Sequence, residues 1–238
     1  MIVFAKHHVI GAAFASHHGV VSAAQSAAAN DIAGFENRQS RIEGGKPGHM
    51  GTVGPGGLNR LGMAIEEEGI VPIVEPEVLM DGDHDIDRCQ AITEWVLKTV
   101  YEDLYYARVQ LEGTVLKPNM VVPGKKCSKR ASVDEVAEKT VRVLKNCVPG
   151  AVPGIAFLSG GQSDEEATAH LDAINRIGGL PWRLTFSYGR ALQAAPQKAW
   201  SGKPENTAAA QRAFSHRARM NGLATLGQWK ADLEKKAA

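Results

Sequence analysis

The chain has 238 residues, enough for one large domain or two small ones. Apolar residues make up 44% and charged residues 22%, the balance of a soluble globular protein, and no run of about eighteen apolar residues offers a membrane span. A net charge of +1 gives no reason to expect nucleic acid or a membrane surface as a partner.

Residues 1–57 differ in texture from the remainder of the chain, being rich in Ala, Gly, Ser and His with weak periodicity. Met1 to Phe14 is fairly apolar, but His7 and His8 interrupt it, which makes a poor secretory signal. An organelle-targeting segment is a second reading, weakened because no arginine precedes Arg38. Gly44 to Gly57 holds seven glycines and two prolines and is expected to be a flexible loop or linker. It lacks the ending of a phosphate-cradling P-loop. The pairs His7-His8 and His17-His18 are expected to be incidental rather than a metal site. The segment is expected to be irregular, with a partial barrel over 58–238.

From Leu58 the pattern becomes regular. Asn59 to Glu68 is expected to be helical, with Gly69 stopping it. Short apolar strands then alternate with amphipathic helices. The first strand is expected over Val71–Glu77. Its helix follows from about Asp85 to Arg108, with Ile86, Cys89, Ile92, Val96, Val100 and Leu104 as one stripe. The second strand is expected over Thr114–Met120, where Pro118 stops regular pairing. Its helix opens at Ser132, with Glu135 placed for a capping box. The third strand is expected over Gly154–Ser159, and its helix runs from Ser163, again with Glu166 in the box position, to Gly178-Gly179. The fourth strand is expected over Arg183–Tyr188, with helical segments to about Arg219. Such repeats imply an α/β fold, a parallel sheet with helices outside.

Polar residues cluster at the C-terminal strand ends, the edge that carries the site both in a (β/α) barrel and in an open sheet. No GxGxxG follows any strand, which counts against a dinucleotide. Alternation places Glu75 and Glu77 on one face above Val71 and Ile73. Two carboxylates on one apolar face cannot both ionise cheaply, so one must be raised in pKa or paired with a cation. Lys117, at the end of the neighbouring strand, is the obvious partner. The pair has two readings, an amine nucleophile beside an acid–base carboxylate, or a structural ion pair. Ser159-Gly160-Gly161 offers a hydroxyl and unhindered N–H groups before a capped helix, and Gly189-Arg190 a close backbone and a guanidinium. These suit an anion, or are two glycine turns and a surface arginine.

Asp81-Gly82-Asp83-His84-Asp85 opens like a calcium loop, but Ile86 and Ile92 occupy the required Gly and Glu positions. Lys125, Lys126, Lys129 and Arg130 form a basic loop without aromatics, expected to be solvated. The cysteines Cys89, Cys127 and Cys147, odd in number and irregularly spaced, predict reduced thiols and a cytoplasmic setting.

Five motifs, in order, carry a family resemblance: Ile70 to Glu77, Asp81 to Arg88, Leu111 to Met120, Phe157 to Ser163 and Leu184 to Leu192. Ala199-Trp200 and Ala224 to Gly227 continue it. Over about 58–229 the chain resembles class I fructose-bisphosphate aldolase. The resemblance implies a TIM-type parallel (β/α) barrel, here with about four βα units resembling its fifth to eighth. It implies reversible Schiff-base cleavage of fructose 1,6-bisphosphate to dihydroxyacetone phosphate and glyceraldehyde 3-phosphate, without metal or cofactor. Lys117 matches the Schiff-base lysine, Glu75 the acid–base carboxylate, and Glu77 the glutamate that holds the lysine region. Ser159, Gly160, Gly161, Ser187, Gly189 and Arg190 match phosphate-binding positions. The family's early Ala-Ala-Asp-Glu-Ser motif and its C-terminal tyrosine have no counterpart here. Activity is therefore expected to be impaired. The alternative is a non-catalytic, aldolase-derived protein that binds sugar phosphates or assembles. Open sheet edges predict a homo-oligomer.

Overall fold

The computed structural model describes residues 71–237. The glycine-rich segment, the helix expected over 59–68 and the irregular region 1–57 lie outside the described residues. The four expected strands form one parallel sheet in sequence order, β1 (Ile73–Val74), β2 (Val115–Leu116), β3 (Gly154–Phe157) and β4 (Arg183–Phe186). All four are shorter than the sequence suggests. β2 yields at its end to Pro118, which has no N–H for the ladder, although isolated bonds such as Leu158 N–H to Pro118 O continue beyond it.

Between the strands run α1 (Ile86–Tyr106), α2 (Val133–Cys147) and α3 (Asp164–Ile177), and after β4 come α4 (Arg190–Trp200) and α5 (Thr207–Ala224). The starts obey their capping residues. Asp85, part of the calcium-like stretch, caps α1 by accepting from Arg88 N–H at 2.8 Å. Ser132 accepts from Glu135 N–H, and Ser163 with Glu166 forms the full reciprocal box. Gly178, at φ 64°, ends α3 in a backbone conformation that costs a glycine little. The last helix continues to Ala224, beyond the expected limit at Arg219.

The sheet has two unlike faces. Leu116, Ile155, Phe157 and Leu184 point toward the helices and are buried with Val96, Leu97, Val136, Leu144, Leu171 and Ile174. The predicted stripe of α1 supplies Ile86, Cys89, Val96, Val100 and Leu104 to this core. The other face carries Ile73, Val115, Gly154, Ala156, Arg183 and Thr185, in register across the four strands. Ile73 is 47% exposed and Val71 58%. Glu75 follows Val71 and Ile73 on this face by strand alternation. Among the described residues no helix covers that side of the sheet, which is open. The core lies between sheet and helices.

The C-terminal end is tied down by polar groups. Buried Arg217 on α5 donates to Thr168 Oγ1 at 2.6 Å and Asp164 O at 3.3 Å on α3, and to Glu234 Oε2 at 2.5 Å. Glu234 also accepts from Trp229 Nε1 at 2.9 Å, so the terminal 3-10 segment Ala231–Ala237 is anchored to α3 through α5.

The two faces should respond differently to truncation. Phe157→Ala removes a fully buried ring and is expected to cost about 3–5 kcal/mol of unfolding free energy. Ile73→Ala on the open face is expected to stay within about 0.5 kcal/mol. Denaturant unfolding of the two variants checks this, and a large loss for Ile73→Ala would mean that something covers that face.

Candidate functional site

The site is built at the C-terminal ends of the strands. Val115 N–H donates to Pro72 O at 3.0 Å and Lys117 N–H to Val74 O at 2.7 Å, continuing the β1–β2 ladder past the strand ends. Ile73 pairs with Val115 and Val74 with Leu116, so the next step sets Lys117 beside Glu75. Because directly paired residues in a parallel sheet point the same way, both side chains rise on the open face. Lys117 Nζ lies 2.8 Å from Glu75 Oε1, with the two side chains 19% and 22% exposed. The amine therefore sits in a half-buried niche against a carboxylate.

Glu77 stands close enough to feel the same charges. Its pKa is raised from the ordinary 4.5, first by burial and then by repulsion from Glu75, with Lys117 opposing and Asp81 adding. The sequence reading asks that one of the two carboxylates be raised in pKa or paired with a cation, and both effects are present, on different residues. Glu75 holds the cation, and Glu77 is biased toward its protonated form. Asn119, two residues past the lysine, is buried. Its Oδ1 accepts from Val78 N–H at 2.9 Å, and its amide nitrogen donates to Thr93 Oγ1 and Met120 O. This amide fastens the segment after β1 to that after β2, holding the two short strands in register beyond their regular ladder.

The other expected residues gather one and two strands away. Ser159 is buried at the end of the β3 segment, and Gly160 and Gly161 turn the chain at φ 52° and 78°. Ser187 N–H donates to Phe157 O at 2.8 Å, placing the end of β4 against that of β3. Gly189 caps α4 and Arg190 is its first residue. The Arg190 guanidinium reaches across to donate to Gln162 O and faces Asp164 Oδ1 at 3.6 Å. The two glycine turns proposed from sequence are thus joined by an arginine from one onto the backbone of the other.

Two residues that the sequence did not single out brace this turn. Gln162 is buried, and its amide nitrogen donates to Ser159 O at 2.9 Å while its Oε1 faces His170 Nδ1 on α3. Burial lowers the His170 pKa to about 4, with Glu166 opposing, so the ring is neutral at ordinary pH. With Gln162 Oε1 as acceptor, Nδ1 is assigned as the protonated nitrogen. The sequence pattern offered one signal for this brace, since His170 lies seven residues after the Ser163 cap on the helix face that also carries Ala167, Leu171 and Ile174. Among the described residues no group of three or more His, Cys, Asp or Glu is arranged to hold a metal ion. No described helix is long and apolar enough to cross a membrane. Cys89, Cys127 and Cys147 are free thiols.

Parallel strand–helix units, with a lysine–carboxylate pair and a glycine turn at the strand ends, define a partial (β/α) barrel of the TIM type. The solved fructose-bisphosphate aldolase of Plasmodium falciparum, in complex with TRAP and a small-molecule inhibitor, is similar in fold over the part it shares with this chain. It aligns with a TM-score of 0.72 and 48% identity over 74% of this chain and 50% of its own. The family model for class I fructose-bisphosphate aldolase matches residues 40–238, and the chain belongs to that family. A probable class 1 fructose-bisphosphate aldolase of Xanthomonas campestris pv. campestris is 54% identical over 174 residues, covering 73% of this chain and 52% of the relative. Fructose-bisphosphate aldolase B of Sparus aurata is 56% identical over 174 residues, 73% of this chain and 48% of the relative. The chain spans about half the length of the curated relatives it matches.

The Glu77 environment fixes a pH dependence. Its folded pKa lies above the unfolded value, so its contribution to stability is complete below the ordinary glutamate range and is lost as pH rises through the raised value. Glu77→Gln removes the charge that burial and Glu75 oppose. The variant is expected to melt a few degrees above the parent at pH 7, with the gap closing toward pH 4. Thermal melts across that range measure it.

Proposed function

We propose that this chain carries the Schiff-base, acid–base and one phosphate-binding part of a fructose-bisphosphate aldolase site, acting on sugar phosphates. The observation that carries the proposal is the Lys117 Nζ–Glu75 Oε1 contact of 2.8 Å in a half-buried niche. A lysine is a nucleophile only as the free amine, and a touching carboxylate can remove its proton. The amine adds to the ketone carbon of the sugar phosphate to give a carbinolamine. Loss of its hydroxyl as water, after protonation by a carboxyl group, leaves the iminium. The positive nitrogen then accepts the electron pair of the C3–C4 bond. Glu75, taking the proton from the C4 hydroxyl, completes release of the aldehyde and leaves an enamine on Lys117. Glu77, biased toward its neutral form, supplies a proton donor beside the same nitrogen. Ser159, the Gly160-Gly161 turn, Ser187, Gly189 and Arg190 receive the phosphate, whose negative charge suits free backbone N–H groups and a guanidinium.

One observation favours a second reading, a sugar-phosphate-binding or assembly protein without cleavage. The row carrying Lys117 lies on the open face, where Ile73 is 47% exposed. Water reaches an imine formed there from that side, and hydrolysis competes with carbon–carbon cleavage. The same face and the edge strands β1 and β4, which have no further partner in the sheet among the described residues, underlie the proposed self-association.

Reductive trapping separates the readings. Borohydride reduction with dihydroxyacetone phosphate, followed by peptide mapping, is expected to place the adduct on Lys117 and nowhere else. Lys117→Ala should abolish it, and Glu75→Gln should slow its formation by roughly 10²-fold. Phosphate binding without an adduct would instead support the non-catalytic reading. Sedimentation of the purified chain is expected to show species heavier than the monomer, and a monodisperse monomer at all concentrations would remove self-association.

A further inference from the structure

The basic side chains of the loop after β2 are exposed, but its backbone is held. Gly124 N–H donates to His84 O at 2.9 Å, Lys125 N–H to Met80 O at 2.7 Å, and Lys126 N–H to Gly82 O at 3.0 Å. The loop is thereby stitched to the one that follows β1. Glycine at 124 is required by the closeness of this seam, since a Cβ there would overlap the Gly82 carbonyl. With its backbone held, Lys125 extends across the Gly160-Gly161 turn. A Cβ on Gly161 would fall 2.7 Å from Lys125 Cε and 2.8 Å from its Nζ. The ammonium is half exposed and meets Asp81 Oδ1 at 3.3 Å, where the carboxylate is 71% exposed. Ion pairs so exposed are weak and easily exchanged.

Two cations therefore bear on one short turn. Arg190 arrives from α4 onto Gln162 O, and Lys125 from the β2 loop onto Gly161. Glycine at 161 supplies both the φ of 78° and the space the lysine occupies. A phosphate monoester at neutral pH carries close to two negative charges, more than one guanidinium neutralises. A lysine is a mobile point charge on a flexible stem, suited to follow an anion as it settles.

We propose that Lys125 is a binding residue of the anion site at Ser159–Gly161, closing on a phosphate opposite Arg190, and that Asp81 is the counter-ion it exchanges for that phosphate. This deepens the sugar-phosphate reading and rests on it. The ligand class is a phosphate monoester, bound in preference to a neutral sugar.

Calorimetric titration of the full chain with inorganic phosphate, at low and at moderate salt, tests it. Lys125→Met is expected to weaken binding about tenfold and to flatten the salt dependence. Lys125→Arg should restore most of the affinity. Asp81→Asn, by freeing the lysine, should tighten binding about two- to threefold, a gain that misfolding cannot mimic. Arg190→Met serves as the reference for the turn itself. If Arg190→Met weakens binding while Lys125→Met and Asp81→Asn match the parent, the role of Lys125 is overturned and the phosphate reading of the turn stands. If the parent chain binds no phosphate, or Arg190→Met leaves binding unchanged, the reading of the turn fails and the role of Lys125 falls with it.

Discussion

The register of β1 against β2 is the constraint on which the site depends. Two paired residues on each strand, Ile73 with Val115 and Val74 with Leu116, decide that Lys117 meets Glu75. A slip of one residue would turn Lys117 toward the helices, where Leu116 now packs, and would leave a charge in the core. So short a ladder cannot hold its own register. It is held by what surrounds it: Leu116 buried below, the Lys117 N–H bond to Val74 O, and Asn119 bridging the two trailing segments. The chemistry at the strand end is thus specified by packing one residue earlier and by an amide two residues later.

The sequence displayed the helix–strand order because each signal was local. Caps at Asp85, Ser132 and Ser163 act within three residues, and the stripe of α1 is a property of one segment. Strand lengths were less legible, because apolar and β-branched residues persist past the point where pairing stops. In Gly154 to Ser159 the composition stays strand-like through Leu158, yet the regular ladder ends at Phe157, before the chain turns at the glycines. The site residues were legible to the extent that they lie at strand ends. Residues that act through distant backbone were not. Lys125 differs from Lys126 in no local pattern, and its place over Gly161 follows from a seam with residues about forty positions earlier. Gln162 reads as a turn residue, and only the fold shows its amide held between Ser159 O and His170.

Alternation along the strands predicts two sheet faces but not which is covered. The helices cover the Leu116–Ile155–Leu184 side, and the row of Glu75, Lys117, Ala156 and Thr185 is left facing outward. That face is a mixture, polar at the strand ends with Glu75 and Lys117 and apolar one step lower on β1 and β2 at Ile73 and Val115. A solvated face would be polar throughout, and a packed core apolar throughout. The mixture fits the interior of a barrel, where lower layers fill and the mouth binds. On this chain the two halves of the row pull in opposite directions. Ile73 favours being covered, whereas the proposed binding of a phosphate at the glycine turns requires access.

How the charges are arranged follows from that half-open geometry. A fully buried Lys117 with two carboxylates would carry a large desolvation cost, and a fully exposed one would be an ordinary surface ion pair. In between, Lys117 meets Glu75 at 2.8 Å, while Glu77, partly buried and repelled by Glu75, is pushed toward its neutral form. The lysine is thus met by Glu75, and Glu77 bears the cost of burial and of a like charge nearby. The short β1–β2 ladder is what keeps the three side chains within reach of one another.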